Sequence, residues 1–398
     1  PRITYYRTGP ASFVNEFGHV VSVGDNTPRF DHDFITGESK GLLIEEDTTN
    51  YIKNSHGSGF KSQGQISSIT EGWGQQSTTN STLTQFAALG PDGTMSALKY
   101  TLNATTGRRF DYEGLSTTNG TVYCYSWWMK RLHGASEWRF QQVGGSGVTN
   151  EQILIDGVAA SGQTSGYTPP DDEWHRVTWR FTKTNTETMD IGGYDDSGNT
   201  GDRWLLWGAQ LEVGAYPTSY IPTTDGATGT RGHEQVVIDG EDFTNFYNAS
   251  ESTVLAVGTM NAPATSSGQY NIFHIGNDNN DGHGVFREYG GKDVWYHIRS
   301  GGSTASGGNL NPTAFGDWDQ DEEARIAIAF KSGDQAISVN GGNQVTATVS
   351  SGYPSANISK MWIGSAAAGG SGQFSGHIKR IAYYPKQLSD SQLNTLTA

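Results

Sequence analysis

The chain has little cysteine, little charge and no long apolar run. Cys124 is the one cysteine in 398 residues, so an intrachain disulfide and a cysteine-based zinc site are both excluded. Charged residues make up 17 %, and no apolar run reaches the roughly 18 residues that a membrane-spanning helix needs. No charged segment followed by an apolar one opens the sequence. We therefore expect neither a membrane span nor a signal peptide.

Basic residues are also few. The sequence has 26 Lys and Arg against 41 Asp and Glu, a net charge of −15, and its basic runs are no longer than pairs such as Arg108-Arg109. Nucleic-acid backbones and anionic lipid surfaces are bound by clustered Lys and Arg, so the balance argues against both partners. The same charge balance does not argue against neutral glycans, which are bound through aromatic rings and hydrogen bonds.

Glycine and aromatic residues are abundant. The chain has 53 Gly, 11 Trp, 18 Tyr and 16 Phe, with a hydrophobic fraction of 34 %. Short strands joined by Gly-rich turns give such a composition, whereas long helices would need more Ala, Leu, Glu and Lys. The length exceeds what one core usually serves. The sequence predicts an all-β protein with two β-sandwich domains and a short β-rich N-terminal lead-in.

Alternating strands define the first predicted sandwich. The run from Val122 to Met129 places Tyr123 and Trp127 on one face, and Cys124, expected to be a small buried residue, on the other. Val177, Trp179 and Phe181 form the apolar face of a second strand, opposite Arg176 and Arg180. We assign residues 1–40 to the lead-in and residues 41–224 to this sandwich.

The second set of strands follows a segment without apolar periodicity, residues 225–235, which we interpret as a linker. Residues 236–398 form the second predicted sandwich. Its hairpin AISVNGGNQVTATV should turn at Asn340-Gly341-Gly342, where positive φ angles are needed. Near the end, Ser389 should cap a short helix with Gln392 at the capping-box position.

Two segments resemble the ends of a module found in tail-associated virion proteins of bacteriophages. They read PRFD-x-D-x-x-TGE-x-x-GLLIEE-x-x-TN at residues 28–50 and W-G-A-Q-LE-x-G-x-x-PTSYIPT-x-x-G-x-x-x-TR at residues 207–231. The strand W-x-R-V-T-x-x-F-T that precedes the second segment is also similar to carbohydrate-binding modules of the jelly-roll type. The pattern is already under way at Pro1, as it would be in a piece of a longer polypeptide.

The C-terminal part is similar to laminin-G-like, concanavalin-A-like jelly rolls. The similarity lies in F-x-G-x-I-x-R-I-x-x-Y-x-x-x-LS-x-x-Q-x-x-x-L at residues 374–396 and extends over about Ile238 to Ala398. It implies a fold and not a function, because such sandwiches serve lectins, adhesion modules and glycosidases alike.

No catalytic motif is present in the sequence. Glycosidases on this sandwich resemble one another in an E-x-D-x-x-E strand, and the acidic runs IEED, DYEG, IDGED and DQDEEAR do not match that spacing. A G-x-S-x-G elbow, an H-E-x-x-H helix and a P-loop are also missing. We therefore expect a protein that is not an enzyme.

One loop is a candidate Ca²⁺ site. GNDNNDGHG carries Asp278, Asn280 and Asp281, and oxygen ligands at this density suit Ca²⁺. The alternative is an Asx-rich turn that binds nothing, since Asn and Asp tolerate left-handed backbone. A second acidic run from Asp317 to Glu323 could add carboxylates, or could be a solvated turn. The histidines are scattered, and we expect no histidine metal site.

Exposed aromatic rings are the candidate glycan contacts, because the CH face of a sugar stacks on them. Trp73 lies between two glycines and is expected on a loop. Trp295 and Tyr296 are adjacent in a strand, so one of them must leave the core face. For each ring the alternative is packing in the core or against another subunit.

The resemblance implies a phage virion protein of a tail fibre or tail tip, made in the bacterial cytoplasm, that attaches the particle to surface carbohydrate of the host. Its partners would be that carbohydrate and other virion subunits, with a homo-oligomer, first of all a trimer, as the expected assembly. The alternatives are a structural decoration protein that binds only virion subunits, and a depolymerase that cleaves glycan.

Overall fold

The computed structural model describes residues 2–56, 59–60, 62, 64, 71–106, 108–134, 137–143, 147–196, 199–224, 226–261, 269–278, 280–288, 293–300, 302–310, 318–342, 345–347, 358–368 and 372–398. Nearly all of its regular structure is strand, which confirms the predicted all-β fold class. Neither described helix is long or apolar enough to cross a membrane.

The elements are numbered in chain order. The first twenty strands are β1 (Thr4–Tyr6), β2 (Ala11–Val14), β3 (Val20–Val23), β4 (Phe30–His32), β5 (Ser39–Ile44), β6 (Thr48–Asn50), β7 (Gly72–Gln75), β8 (Ser81–Ala88), β9 (Ala97–Leu102), β10 (Phe110–Thr117), β11 (Val122–His133), β12 (Trp138–Val143), β13 (Val148–Ile155), β14 (Val158–Ala159), β15 (Gly166–Tyr167), β16 (His175–Lys183), β17 (Glu187–Asp195), β18 (Arg203–Val213), β19 (Gly229–Arg231) and β20 (Gln235–Asp239). The remaining elements are α1 (Gly240–Thr244), β21 (Glu251–Met260), β22 (Tyr270–Asp278), β23 (Asp281–Arg287), β24 (Val294–Ser300), β25 (Ser303–Leu310), β26 (Glu323–Lys331), β27 (Asp334–Val339), β28 (Val345–Ala347), β29 (Lys360–Ile363), β30 (Gly376–Tyr384) and α2 (Asp390–Thr397).

The chain divides into two compact units whose boundaries differ from the division expected from sequence. Unit 1 contains Pro1–Thr8, Gly24–Asp47 and Gly232–Ala398, and unit 2 contains Gly9–Val23 and Thr48–Arg231. The expected lead-in is thus shared between the units, and the expected linker contains β19 and the first residue of β20. Antiparallel pairing joins strands that are hundreds of residues apart, and the local alternation of a sequence does not indicate which distant strand is the partner.

Unit 2 is a sandwich of two sheets. Sheet C has the strand order β15-β12-β17-β10-β7, and sheet D has the order β14-β13-β16-β11-β18-β9-β8. The chain passes repeatedly from one sheet to the other, as in a jelly roll. Trp127 and Trp179 from sheet D pack in one core with Trp73 and Trp138 from sheet C. The faces predicted for the strands around Trp127 and Trp179 are therefore confirmed. Arg176 and Arg180 lie half-buried on the opposite face.

Unit 1 is also built from two sheets. Sheet A has the order β1-β20-β29-β22-β23-β24-β25, and sheet B has the order β28-β27-β26-β21-β30-β5-β4. The sheets meet where the ring of His283 lies 5.4 Å from that of Phe330. Strands β1, β4 and β5, which all lie before Thr48 in the sequence, complete one end of each sheet.

Two local predictions are confirmed in unit 1. β27 and β28 form the predicted hairpin, with φ angles of 46° at Asn340 and 73° at Gly341. The predicted helix is α2, and the side chain of Gln392 accepts a 3.0 Å hydrogen bond from the backbone N–H of Ser389. Leu393 of α2 packs on the outer face of sheet B.

Candidate functional site

The residues that carry the phage resemblance form buried polar networks. In unit 1, Arg29 of the PRFD segment binds Glu45 at 2.8 Å and Glu234 at 2.8 and 2.6 Å. The hydroxyl of Tyr5 also donates to Glu234, and burial of the phenol together with the Glu234 charge raises the pKa of Tyr5. Arg29 and Glu234 are fully buried, so this network holds chain segments together and faces no ligand.

A second network in unit 2 has the same character. Asn50 donates to the carbonyls of Ala209 and Ile221 and accepts from the N–H of Leu211 at 3.1 Å. Buried Glu212 accepts 2.9 and 2.7 Å hydrogen bonds from the backbone and hydroxyl of Thr218. Burial raises the pKa of Glu212, and these hydrogen bonds oppose the rise. The motif residues are structural in both units.

Two of the three aromatic residues expected at a glycan site are in the core, so these expectations are wrong. Trp73 is 0 % exposed, and its ring stacks 4.9 Å from that of Phe110. Its flanking glycines belong to strand β7 and not to a loop. Tyr296 is also fully buried, with its hydroxyl 3.3 Å from His283 Nδ1. A ring without an exposed face cannot stack on a sugar.

Trp295 is placed differently. It lies half-buried on β24, opposite Phe286, and its indole N–H donates a 2.9 Å hydrogen bond to Glu288. The Asp278–Asp281 turn lies at the other end of the same three strands, where the N–H of Gly302 binds the carbonyl of Asn280 at 3.0 Å. The structure therefore brings Trp295 and the candidate Ca²⁺ loop onto one sheet but not into one site.

The loop itself has the geometry of an Asx turn. Asp278 Oδ1 accepts a 2.7 Å hydrogen bond from the N–H of Asn280, within the hairpin formed by β22 and β23. Among the described residues, no group of three or more His, Cys, Asp or Glu is placed to hold a metal ion. Asn279 and Asp317 lie outside the described residues. Ca²⁺ binding by Asp278, Asn280 and Asp281 stays a prediction.

Three histidines lie buried on sheet A, where the scattered sequence positions gave no sign of proximity. His274 Nδ1 is 3.4 Å from His297 Nε2, across Gly284, which leaves room for both rings. His283 lies on the opposite face of the sheet. Burial lowers the pKa of His274 to about 4 and that of His283 to about 3, and it lowers the pKa of His297 well below its ordinary value.

The outer face of sheet C carries an acidic cluster that sequence reasoning dismissed. Asp111 and Glu113 alternate with the core residue Tyr112 on β10, so both point away from the core. Asp190 of neighbouring β17 accepts a 3.1 Å hydrogen bond from the N–H of Gly114. The spacing D-x-E was the available signal, because positions i and i+2 of a strand share a face.

These carboxyl groups hold their protons at unusually high pH. Burial raises the pKa of Asp111 to about 7, with Arg109 lowering it and Asp190 raising it. Burial, the charge of Asp190 and a hydrogen bond to it raise the pKa of Glu113 to about 8. Arg109 Nε lies 3.0 Å from Asp111 Oδ2, but neither Asp111 oxygen has a well-aligned hydrogen bond to a described residue. Perturbed carboxyl groups on one face are typical of functional sites.

A polar pocket of about 280 Å³ lies on unit 2 beside this cluster. Its lining residues are Gln76, Thr105, Thr106, Arg108, Arg109, Gln141 and Tyr194. The Arg108 guanidinium stacks 4.9 Å from the centre of the half-buried Tyr194 ring and binds Asp196 at 3.1 Å. The pocket thus combines a flat ring and guanidinium surface with hydrogen-bond donors and acceptors. We take this pocket and the acidic cluster as the candidate site.

The chain is only weakly similar to known proteins. No family model and no curated protein matches the chain. The IT-sialidase CBM40 of Ruminococcus gnavus bound to α2,3 sialyllactose is 15 % identical, over 41 % of this chain and 93 % of that one, with a TM-score of 0.33. A mutant of NanB sialidase from Streptococcus pneumoniae is 19 % identical, over 41 % and 26 %, with a TM-score of 0.34. The receptor binding domain of botulinum neurotoxin C/D mosaic serotype is 10 % identical, over 42 % and 40 %, with a TM-score of 0.32.

The chain therefore spans about 40 % of the length of that neurotoxin domain. At TM-scores below 0.5 the likeness carries no argument about ligand or role, so function must be inferred from the chain's own residues. Its own strand order shows an all-β protein of two sandwich units.

Proposed function

We propose that the protein binds a neutral glycan in the pocket on the outer face of sheet C. The observation that carries the proposal is the pairing of the Tyr194 ring with closely spaced hydrogen-bonding groups in one concave site. Carbohydrate recognition needs both, because a sugar presents an apolar CH face and a rim of hydroxyl groups.

The charges beside the pocket favour an uncharged ligand. Arg108 is paired with Asp196, so its guanidinium offers no unbalanced charge to an anion. The remaining N–H groups of Arg108 and Arg109 can still donate to sugar hydroxyl groups, and Gln76 and Gln141 can both donate and accept. The net charge of −15 opposes the long-range approach of an anionic polymer.

A glycine makes room for the Asp111 carboxyl group at the site. Gly192 of β17 lies between Asp111 on β10 and Gln141 on β12. A Cβ atom there would come within 2.2 Å of the Phe110 carbonyl oxygen and 2.5 Å of Asp111 Oδ1. Only glycine therefore allows the Asp111 carboxyl group to lie against the neighbouring strand.

Glycan-array binding of the purified protein tests the proposal. The Tyr194→Ala substitution removes the ring and should raise the dissociation constant for the glycan about threefold to tenfold, since ring contacts contribute about 0.5–1.5 kcal/mol. The Gln141→Ala variant should bind the glycan more weakly still. Tyr51→Ala, which removes an exposed ring elsewhere on unit 2, is the matched control and should bind normally.

Glycan binding should also persist to about 0.5 M salt, because it does not depend on charge–charge attraction, which salt screens. An array without signal, or binding indifferent to both pocket variants, would contradict the proposal.

The biological role that we propose is attachment of a phage particle to its host, through a tail fibre or tail tip. The resemblance in residues 28–50 and 207–231 supports this role, together with a pocket whose ring and polar groups suit a glycan. Antibody labelling of intact particles and competition of adsorption by the purified protein would test this role. A decoration protein would be present on particles but would not compete for adsorption.

A second candidate function is glycan cleavage, and one observation favours it. Burial and the neighbouring Asp190 raise the pKa of Glu113 to about 8, and glycoside hydrolysis uses one carboxyl group that is protonated near neutral pH beside a second carboxyl group. Release of reducing sugar from host polysaccharide, abolished by Glu113→Gln, would establish depolymerase activity. Binding without release would leave the glycan-binding proposal alone.

A further inference from the structure

Arg109 belongs both to the pocket of unit 2 and to the acidic cluster beside it. It lines the pocket, and its Nε lies 3.0 Å from Asp111 Oδ2. Its carbonyl oxygen accepts a 2.9 Å hydrogen bond from the N–H of Gln76, another lining residue, which holds the backbone of Arg109 at the pocket. The side chain of Arg109 is 14 % exposed and that of Asp111 is 1 % exposed. Arg109 therefore connects an accessible pocket with a buried carboxyl group.

The fold makes room for this carboxyl group but does not satisfy it. Gly74 of β7 and Gly192 of β17 are the register partners of Asp111, so no side chain stands beside it at the paired positions. Neither carboxyl oxygen has a well-aligned hydrogen bond to a described residue, and the same is true of Arg109 Nε. A buried polar group without such a bond costs free energy of folding. A carboxyl group kept at this cost beside a pocket is typical of a functional position.

Among the described residues, few titratable groups face Asp111. They are Arg109 and Glu113 next to it on the outer face of sheet C, Asp190 and Tyr194 on either side of Gly192 in β17, and the hydroxyl groups of Tyr100 and Tyr125 on the core side. β7 presents glycine at the paired position. On β12, one strand beyond β17, Gln141 is uncharged and Arg139 is paired with Asp196.

These neighbours make Asp111 titrate near neutral pH. Burial raises the pKa of Asp111, with Arg109 lowering it and Asp190 raising it, and the result is about 7. Asp111 is therefore mostly protonated at pH 6 and mostly ionised at pH 8. Glu113 titrates in a similar range, with a pKa raised to about 8 by burial and by Asp190, to which it is hydrogen-bonded.

We infer that Asp111 is a positioning residue for the pocket, which in its ionised form fixes the guanidinium of Arg109 for a bound glycan. The inference rests on the proposed glycan binding. An ionised carboxylate beside Nε–H forms a charge-assisted hydrogen bond that holds the planar guanidinium in one orientation. The remaining N–H groups of Arg109 then lose less freedom when they donate to sugar hydroxyl groups. The pocket should consequently bind glycan more tightly at pH 8 than at pH 6.

The coupling must act in both directions. If the ionised form of Asp111 strengthens glycan binding, a bound glycan in turn favours the ionised form. Binding near pH 7 should therefore release protons. A role of Asp111 in the stability of the fold alone would produce neither the pH-dependent affinity nor this release.

A glycan array read with a concentration series at pH 6 and at pH 8 tests the inference. The wild-type protein should bind the neutral glycans of the array about threefold to tenfold more tightly at pH 8, the range expected for one net hydrogen bond. Asp111→Asn keeps the shape of the side chain but cannot ionise, so its affinity should be equal at the two pH values. Glu113→Gln is the matched control, because it removes the other group that titrates in this range, and it should keep most of the pH dependence.

A second measurement needs no glycan. The Nε–H resonance of Arg109 in the NMR spectrum of the full chain, assigned by its loss in Arg109→Lys, should shift in one step near pH 7. The step should be missing in Asp111→Asn and present in Glu113→Gln. A resonance that does not shift, or that shifts equally in Asp111→Asn, would overturn the positioning contact itself.

The array separates the failure of this inference from the failure of the proposed function. Glycan binding of equal strength at both pH values, tighter binding at pH 6, or an unchanged pH dependence in Asp111→Asn would overturn the inference and leave glycan binding in place. An array without signal at either pH would overturn the proposed function and this inference with it.

Discussion

Arg29 and Glu234 lie 205 positions apart in the chain, yet the guanidinium donates hydrogen bonds of 2.8 and 2.6 Å to the two oxygens of the carboxylate. Both side chains are fully buried. The pair fixes the segment Gly24–Asp47 within unit 1, although unit 2 separates it from most of that unit in the sequence.

Breaking this pair should cost more than breaking a surface pair. In Arg29→Met, the buried Glu234 keeps Arg7 as its one ion-pair partner among the described residues. We therefore expect a loss of about 3–5 kcal/mol in the free energy of unfolding. Lys40→Met removes the exposed pair with Asp33 and should cost less than about 1 kcal/mol. Urea unfolding of both variants measures the difference. Equal losses would mean that the buried network is not what holds the segment.

Trp179 should be among the most costly side chains to truncate in unit 2. It is 1 % exposed and packs 4.4 Å from the ring of Phe181. Trp179→Ala should destabilise the unit by about 3–5 kcal/mol, because a large cavity would remain. Phe86→Ala at an exposed position should change the stability by less than about 1 kcal/mol. A loss for Trp179→Ala no larger than this control would place the ring outside the core.

The buried histidines should make unit 1 sensitive to acid. Burial depresses the pKa of His274 to about 4 and that of His283 to about 3, so the unfolded chain binds protons that the folded chain does not. Their contribution to stability is present above about pH 6.5 and falls as pH decreases toward 4. The melting temperature should drop over this window, and His274→Gln should flatten the drop. An unchanged slope in the variant would show that other groups govern acid unfolding.

The acidic cluster on sheet C should act in the opposite direction. The raised pKa values, about 7 for Asp111 and about 8 for Glu113, mean that the folded state holds protons released by the unfolded chain near pH 4. Stability should therefore fall as pH rises from about 4 through 8. Asp111→Asn should therefore raise the melting temperature of unit 2 more at pH 8 than at pH 5. A variant less stable at pH 8 would show that the ionised Asp111 is paired well enough with Arg109 to stabilise the fold.

Local features were predictable from sequence where the pattern is short-range. The faces of the strands containing Trp127 and Trp179 follow from alternation, which has the same period as the pleat. The Asn340-Gly341 turn and the Ser389 cap follow from backbone and side-chain preferences of a few adjacent residues. Each of these is decided by neighbours within about four positions.

The candidate site was not predictable to the same degree. Trp73 between two glycines suggested a loop, but β7 pairs with β10 and turns the ring into the core. Asp111 and Glu113 were dismissed for their spacing, whereas β17 supplies Asp190 as their neighbour from 77 positions beyond Glu113. The high pKa values arise from that burial and proximity, which a sequence pattern does not contain.

The sequence by itself determined an all-β chain of two sandwiches, the inward face of the strand around Trp179 and the lack of an intrachain disulfide or a cysteine-based zinc site. Tertiary structure alone decided that Gly24–Asp47 belongs to unit 1, which rings are buried, and where the carboxyl groups and histidines come together. The division has a physical reason. Alternation and turn chemistry are set by adjacent residues, whereas burial and electrostatic environment depend on strands that pair across long stretches of chain.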